Sequence, residues 1–576
     1  MLQIKHFDFS QAGRTSVLNE SKGRDWPVVY LINNDHYLYI GETSNFYNRF
    51  GQHLDNKQKK KLQKIHVIFD DEFNKSAILD IEQSLIRMCS ADQKFTLLNG
   101  NAGQSAKHNY YQREKYLNKI ETINGGDGIW ELLHKFGLTK ETYDYIVNSD
   151  LFTYSPYTSL TAEQEEICYN VLNDILNGLN GSSGKGITCI INGSAGTGKT
   201  ILAIYIMSLL VNANKQLIDP YKDEESSEHT DLKNKTLHNL KKYVEKNGAL
   251  KIGYVLPMTS IRATIKTVFR KSRNGLKSNM VIGPTDVVGE HYDILLVDEA
   301  HRLPRRKNIS WLGEFDKCCQ KLNMIPENSN TLDWIVRCSK YRILFYDKDQ
   351  SIKPSDIPAS EFKNSLSKTI TKEYSLTSQM RCQGGKPYID YLNKIFKCGA
   401  EHKEQVQNYD IKVFDCPDEM INDIKQLNAR YGLCRVVAGY SWRWKTKGKS
   451  SAEINANGLY DIKFANTYSW NMTNKEWILR KDSVNEIGCI HTTQGYDLNY
   501  VGVIFGREID YDPDTDTITI DPDKFYDTNV KKGCTPGELK QYIVNSYKIM
   551  MERGIKGCYV YACNDHMRDY LKKYFN

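Results

Sequence analysis

Gly193-Ser194-Ala195-Gly196-Thr197-Gly198-Lys199-Thr200 follows the apolar run Gly186-Ile187-Thr188-Cys189-Ile190-Ile191-Asn192 and precedes Ile201-Leu202-Ala203-Ile204-Tyr205-Ile206-Met207. The first flank reads as a buried strand and the second as a core helix. G-x-x-x-x-G-K-T between such elements is the pattern of a phosphate-binding loop. Its glycines let backbone N–H groups turn toward a polyphosphate, and the helix N-terminus adds partial positive charge. Lys199 is expected at the β- and γ-phosphates and Thr200 at Mg²⁺. The stretch predicts a parallel α/β sheet that binds a nucleoside triphosphate.

Downstream, Ile294-Leu295-Leu296-Val297-Asp298-Glu299-Ala300-His301 is a buried strand ending in two carboxylates. Asp298 is expected at Mg²⁺, and Glu299 polarises the attacking water. Arg342-Ile343-Leu344-Phe345-Tyr346-Asp347-Lys348-Asp349-Gln350 repeats the pattern of a strand ending at the nucleotide. Upstream, Leu160-Thr161-Ala162-Glu163-Gln164 opens a helix with Thr161 as its cap.

From about residue 366 a second α/β half is expected. It contains Ser375-Leu376-Thr377-Ser378-Gln379-Met380-Arg381-Cys382, Gly488-Cys489-Ile490-His491-Thr492-Thr493-Gln494-Gly495-Tyr496-Asp497, and Tyr547-Lys548-Ile549-Met550-Met551-Glu552-Arg553-Gly554. This ordered series resembles the bacterial Schlafen-like helicase domain with superfamily 1 motifs. The resemblance implies two RecA-like lobes at 159–365 and 366–576 that hydrolyse ATP on nucleic acid. It also implies that Gln164 contacts adenine and Gln350 senses the γ-phosphate, and that Arg381 and Arg553 complete the site from the second lobe. The Gln350 segment resembles the superfamily 1 G-D-x-x-Q pattern and departs from it at the first position, with Tyr346 in place of glycine. Thr259-Ser260-Ile261-Arg262 resembles the segment that grips single-stranded backbone. Arg262, Lys266, Arg270, Lys271 and Arg273 suit either phosphate contacts or a solvated helix face. The stretches Tyr440-Ser441-Trp442-Arg443-Trp444-Lys445 and Tyr468-Ser469-Trp470-Asn471 suit a core or a base-stacking surface. Asp219 to Lys246 reads as a solvated charged insertion, and Tyr511 to Asp521 as an acidic hairpin.

In the N-terminal block, Val28-Val29-Tyr30-Leu31-Ile32, the turn Asn33-Asn34-Asp35 and His36-Tyr37-Leu38-Tyr39-Ile40-Gly41 predict a hairpin. Ser44 or Asn45 caps a helix that carries Arg49 and His53 on one face. A later helix, Lys75 to Met88, carries Glu82, and the block closes on Leu97-Leu98-Asn99-Gly100. This ordered set resembles a GIY-YIG nuclease domain over residues 1–105, with Val28 standing where the first tripeptide has glycine. The resemblance implies that Glu82 binds a divalent metal, Mg²⁺ or Mn²⁺, and that Arg49 contacts the phosphate. Tyr30, with His53, would activate water, while Tyr39 and Asn99 position the site. Lys57-Gln58-Lys59-Lys60-Lys61-Leu62-Gln63-Lys64 suits a phosphate backbone or a solvated loop. Residues 106–158 are expected to be a helical connector, with a break at Asn124-Gly125-Gly126-Asp127-Gly128.

The chain has 576 residues, of which 40% are hydrophobic and 26% charged, in the range of globular proteins. The net charge of +7 permits a nucleic-acid partner without requiring one. Fourteen cysteines without a C-x-x-C pair read as reduced core thiols. The first residues have no apolar signal core, and no run approaches the roughly 18 apolar residues of a spanning helix, so a cytoplasmic location is expected. Together these readings predict an ATP-dependent helicase or translocase fused to a metal-dependent endonuclease, with DNA the favoured partner. Two other arrangements use the same residues: a remodelling ATPase whose N-terminal domain only binds, and an ATP-gated sensor that releases the nuclease without translocation.

Overall fold

Six successive buried residues, Val28–Asn33, form the middle strand of the N-terminal sheet in the computed structural model of the protein. The structure describes residues 2–57, 59–99, 110–123, 126–181, 186–214, 228–272, 274–348, 350–473, 477–493 and 496–575. The strand order is Gln3–Asp8, Lys64–Phe69, Val28–Asn33, Tyr37–Thr43 and Thr96–Leu97. All pairs are antiparallel except the last, which is parallel.

Side chains alternate across this sheet, so its two faces build two cores. Val28, Tyr30 and Ile32 join Ile65, Val67 and Phe69 under Phe46 and Phe50 of helix Phe46–Asp55. Val29, Leu31, Leu38, Ile40 and Ile68 face Ile78, Ile81 and Leu85 of helix Lys75–Asp92. That second core runs on through Ile120, Ile129, Trp130, Leu133, Leu138, Ile146 and Tyr157. Described helices of the segment expected to be a connector therefore pack one face into the core of the N-terminal fold. A buried ion pair, Lys119 Nζ to Asp70 Oδ1 at 2.7 Å, ties it down further.

The chain forms two compact units, residues 1–176, 201–250 and 265–278 in one, and 177–200, 251–264 and 279–576 in the other. In the first unit, helix Glu228–Asn247 buries Leu237, Leu240 and Val244 on one stripe, and Thr236 Oγ1 donates to Asn173 Oδ1. This part of the expected insertion is packed structure. Its charged composition hid an apolar stripe at helical spacing. Residues 215–227 of that insertion, Asn124 and Gly125 of the predicted break, and Gln58, Gly100, Arg273, Asp349, Gln494 and Gly495 lie outside the described residues.

The second unit contains two all-parallel sheets. The six-stranded one runs Val281–Ile282, Ile252–Val255, Tyr292–Val297, Ser339–Tyr346, Ile187–Gly193, Ile370–Leu376. The five-stranded one runs Asp410–Val413, Gly554–Ala562, Leu498–Phe505, Cys434–Ala438, Ile487–Gly488. These are the two RecA-like lobes, and their central strands are the near-continuous apolar runs that fully covered parallel sheets require. Strand Ile370–Leu376 belongs to the first sheet, although the sequence reading begins the second half at about 366. It is a mostly exposed edge carrying Lys372 and Glu373, so it lacks the apolar signature of its neighbours. Strands Ile509–Asp512 and Thr517–Ile520 pair as the expected hairpin. Trp470 and Tyr468 are buried and Trp442 and Trp444 pack against them, which resolves those aromatics as core.

Candidate active sites

Three neighbouring strands of the six-stranded sheet end at one place. The loop 193–200 follows Ile187–Gly193, Asp298 follows Tyr292–Val297, and Asp347 follows Ser339–Tyr346. Ligands of open α/β sheets bind at such carboxyl ends. In the loop, Gly196 and Gly198 hold φ of 81° and 79°, a left-handed region that disfavours other residues. A Cβ on Gly196 would also stand 1.9 Å from Gln379 Oε1. Lys199 Nζ donates to the carbonyl oxygens of Gly193 at 2.6 Å and Ser194 at 2.9 Å, and lies 3.6 Å from Asp347 Oδ2.

Thr200 Oγ1 donates to Asp298 Oδ2 at 2.7 Å, and the Tyr254 hydroxyl donates to the same oxygen at 2.8 Å. Burial and the adjacent Glu299 charge push the Asp298 carboxyl above its ordinary range, against these hydrogen bonds. Glu299 has a left-handed backbone, φ 50°, which costs on the order of 1 kcal/mol for a non-glycine residue. Such strain persists where the surroundings over-determine it. His301 Nε2 stands 3.0 Å from Glu299 Oε2. Burial raises the Glu299 carboxyl, but His301, Lys199 and Arg302 more than offset it and hold the group ionised.

Gln350 Nε2 donates to Asp347 Oδ2 at 2.5 Å, so Gln350, Asp347 and Lys199 form a buried polar chain. Gln379 Nε2 donates to the Ala195 carbonyl at 2.5 Å, and its Oε1 accepts from the Arg381 N–H at 2.9 Å. Arg381 pairs with Asp497 of the second lobe. Arg553 is buried and its Nη1 reaches the Tyr496 carbonyl at 3.5 Å. Burial and the Arg381 charge bring Arg553 down to about 10, while Asp497, Glu299 and Glu552 support its charge. The Glu552 carboxyl is raised to about 7 by burial and by Asp347, against Lys548, Arg553 and Arg381. Sequence reasoning missed Asp347, Gln379 and Glu552 as members of this cluster. Asp347 carried the available signal, a carboxylate at the end of a buried strand.

Gln164 sits in the first unit. Its Oε1 accepts from Thr161 N–H at 3.0 Å while its own N–H donates to Thr161 Oγ1 at 3.2 Å, a reciprocal cap on helix Ala162–Asn180. Of the basic residues in helix Thr259–Lys271, Arg262 is half-buried, with Nη2 to the Pro257 carbonyl at 3.5 Å and Nη1 3.9 Å from Asp286 Oδ2.

The first unit gathers a second polar cluster on the face of its N-terminal sheet. Asn45 caps helix Phe46–Asp55, which presents Arg49 and His53 one turn apart. Tyr30 Oη lies 2.7 Å from His53 Nε2, and the Tyr30 and Tyr39 rings flank the imidazole at 5.4 and 5.2 Å. Burial pushes the Tyr30 phenol well up, Tyr39 and Glu82 add to that, and Arg49 opposes it by charge and hydrogen bonding. Arg49 and Glu82 thus act by charge on the same phenol that His53 and Tyr39 touch. Asn99 stands apart as a clamp: its Oδ1 accepts from Ile40 N–H at 3.0 Å and its Nδ2 donates to the Ile40 carbonyl at 2.8 Å. Gly41 is opposite Tyr30 across the ladder, and a Cβ there would lie 2.3 Å from the phenol oxygen. Val28 needs no glycine; its strand is extended and its side chain is fully buried under Phe46 and Phe50.

Hard-oxygen donors stand ready for a divalent ion at each cluster. Thr200 Oγ1 and Asp298 Oδ2 form one pair, and Glu82 supplies one carboxylate at the other. Among the described residues no group of three or more His, Cys, Asp or Glu forms an all-protein cage. This donor set fits an ion that keeps waters and substrate phosphates as ligands.

The family model for the Schlafen group 3 DNA/RNA helicase domain matches residues 187–564, more than half of the chain. The chain belongs to this Schlafen helicase family. The GIY-YIG catalytic domain model matches residues 27–92 of the same chain. The Schlafen-type chain is therefore a helicase ATPase, a nucleic-acid motor, fused to a GIY-YIG endonuclease domain. An uncharacterized protein of Saccharomyces cerevisiae is 25% identical over 451 residues, covering 72% of this chain and 90% of the relative. Among solved structures, the Pif1 helicase of Candida albicans covers 73% of this chain and 97% of its own at 12% identity, with a TM-score of 0.24. The Bacteroides Pif1 helicase in complex with ADP-AlF3 and ssDNA covers 70% and 94% at 10% identity, with a TM-score of 0.25. At those scores the assignment rests on the family models.

Proposed function

We propose that this chain hydrolyses ATP to move along or open DNA and cuts it with the N-terminal cluster. The observation that carries the motor reading is the chain of contacts from the phosphate loop through Gln379 to Arg381 and on to Asp497 of the second lobe. Groups from both lobes sharing one charged cluster would make hydrolysis sensitive to lobe closure. On this reading Gly193 to Thr200 cradle the phosphates, with Lys199 on the β- and γ-phosphates. Thr200 and Asp298 would hold Mg²⁺, and the ion would offset phosphate charge when bound. Glu299 orients water, Gln350 reports the γ-phosphate, and Arg381 and Arg553 stabilise the developing charge. Gln164, by its resemblance to the upstream glutamine of superfamily 1 and 2 helicases, supports adenine as the base.

In the nuclease cluster, Tyr30 takes the proton of water, Arg49 holds the scissile phosphate, and Tyr39, His53 and Asn99 fix the geometry. Glu82 would hold Mg²⁺ or Mn²⁺, which takes leaving-group charge when bound. DNA is favoured over RNA, and the proposed division into two lobes is kept with strand Ile370–Leu376 assigned to the first of them. A motor that feeds a nuclease suits destruction of foreign DNA, or repair. Fourteen cysteines outside any disulfide support action in the reducing cytoplasm.

ATP turnover measured against single- and double-stranded DNA and RNA, with cleavage read in the same tubes, tests the whole reading. Lys199→Ala should abolish turnover, and Glu82→Ala should abolish cutting while sparing it. Parental hydrolysis by Lys199→Ala would remove the motor assignment; parental cutting by Glu82→Ala would remove the nuclease assignment.

A further inference from the structure

One side chain of the basic run 57–64 leaves the surface and enters the nuclease cluster. Lys59 Nζ is 2.9 Å from His53 Nδ1 and 3.2 Å from the centre of the Tyr39 ring. Lysine carries three donors and no acceptor, so in this contact the imidazole nitrogen accepts. The imidazole is neutral: burial, then the Lys59 and Arg49 charges, bring His53 down to about 2. A neutral ring has one N–H. With Nδ1 accepting, that proton is on Nε2, which lies 2.7 Å from Tyr30 Oη. Hydrogen-bond direction then runs from ammonium to imidazole to phenol oxygen.

We propose that Lys59 is a positioning residue of the nuclease site, fixing His53 as the Nε2–H tautomer so that Tyr30 Oη receives a hydrogen bond and faces substrate as an acceptor. The Tyr39 face holds the ammonium in place through its π-electrons. It follows that His53 does not draw the proton from Tyr30. In the resting site Tyr30 keeps its own proton, and its oxygen is held by the His53 N–H and the attraction of Arg49. The tautomer stands on the Lys59–His53 and His53–Tyr30 contacts. What the phenol oxygen then does rests on the nuclease reading.

The test uses the full chain with ¹⁵N-labelled histidine, the His53 signals assigned by their loss in His53→Gln. The expected parental spectrum shows a protonated Nε2 and a bare Nδ1. Lys59→Met moves the proton to Nδ1, and Lys59→Arg, which also donates, leaves it on Nε2. A parental Nδ1–H, or an unchanged tautomer in Lys59→Met, overturns the proposal. Should Lys59→Met not fold, Lys59→Leu, which likewise offers no donor, takes its place, and the parental spectrum alone still decides the direction.

Plasmid cleavage with Mg²⁺ gives the second readout. Lys59→Met should lower kcat roughly tenfold and move the acid limb of the pH profile upward, with DNA affinity unchanged and Lys59→Arg restoring both. The charged and titratable groups around this site are Tyr30, Tyr39, Arg49, His53, Lys59 and Glu82, and only one of them changes in the variant. Weakened DNA binding with an unchanged profile would make Lys59 a phosphate contact and end the proposal. If Glu82→Gln cuts as the parent does, the nuclease reading fails while the tautomer result stands, so the two failures are separable.

Discussion

Gln379 Nε2 donates to the main-chain oxygen of Ala195 at 2.5 Å, so the segment after the last strand of the first sheet closes directly over the phosphate loop. The same carboxamide accepts the Arg381 N–H. One side chain therefore connects the loop to an arginine that pairs with the second lobe.

Replacing it with alanine cuts that connection while leaving both ends in place. Gln379→Ala is expected to lower the ATP turnover number about tenfold, with a smaller change in ATP affinity. Steady-state ATPase assays and binding of a non-hydrolysable analogue separate the two. A change confined to affinity would make Gln379 a plain loop contact.

Arg553 is buried and keeps its charge beside Glu299 and Asp497. A transition-state arginine is worth about 10³-fold or more in rate. Arg553→Gln should lose turnover on that scale and still bind nucleotide. Loss of nucleotide binding instead, with folding intact by circular dichroism, would place its contribution in the ground state.

Val28 stands where the GIY-YIG pattern has glycine, and its side chain is fully buried. Restoring the glycine leaves a cavity and loosens the strand, for a cost of about 2–4 kcal/mol. Val28→Gly should thus lower the denaturation midpoint and bring no gain in cleavage. Higher cleavage in the variant would mean that the valine had been limiting the site.

Acid should weaken the first unit through its buried histidines. Burial, then His6 and Lys64, lower His66 to about 4, and its ring nitrogens have no hydrogen-bond partner among the described residues. Unfolded histidine protonates near 6.5, so between those values the unfolded chain binds the extra proton and stability falls as pH falls. The loss attributable to His66 reaches up to about 3 kcal/mol by pH 4. His66→Phe keeps the aromatic contacts to His6 and Phe136. It should flatten this acid limb without lowering stability at neutral pH; an unchanged limb would exonerate His66 and leave His53.

The motifs were legible because their chemistry fixes residue type and order. Strands covered on both faces must be apolar, so Ile187 to Asn192 and Ile294 to Val297 announced themselves, and the carboxylates at their ends marked the site. The edge strand Ile370–Leu376 did not, because one exposed face removes the apolar constraint. Lys59 was hidden differently. In sequence it is one lysine among several, and only the turn after helix Phe46–Asp55 aims it at His53. Gln379 was masked by the arginine two places on, and its role depends on a left-handed glycine that leaves room for it. Gln164 fits the upstream pattern by position, yet its amide caps its own helix, a local use that position alone does not show.

The core shared by the N-terminal sheet and residues 113–157 sets how this protein can be cut and inherited. Ile86 and Met88 are covered by the same cluster as Trp130 and Leu133. A proteolytic nick or a recombination event ahead of those helices would leave the outer face of helix Lys75–Asp92 wet and prone to aggregate. The smallest piece that evolution could graft onto another motor therefore extends at least to Tyr157, well past the last residue of the catalytic motif.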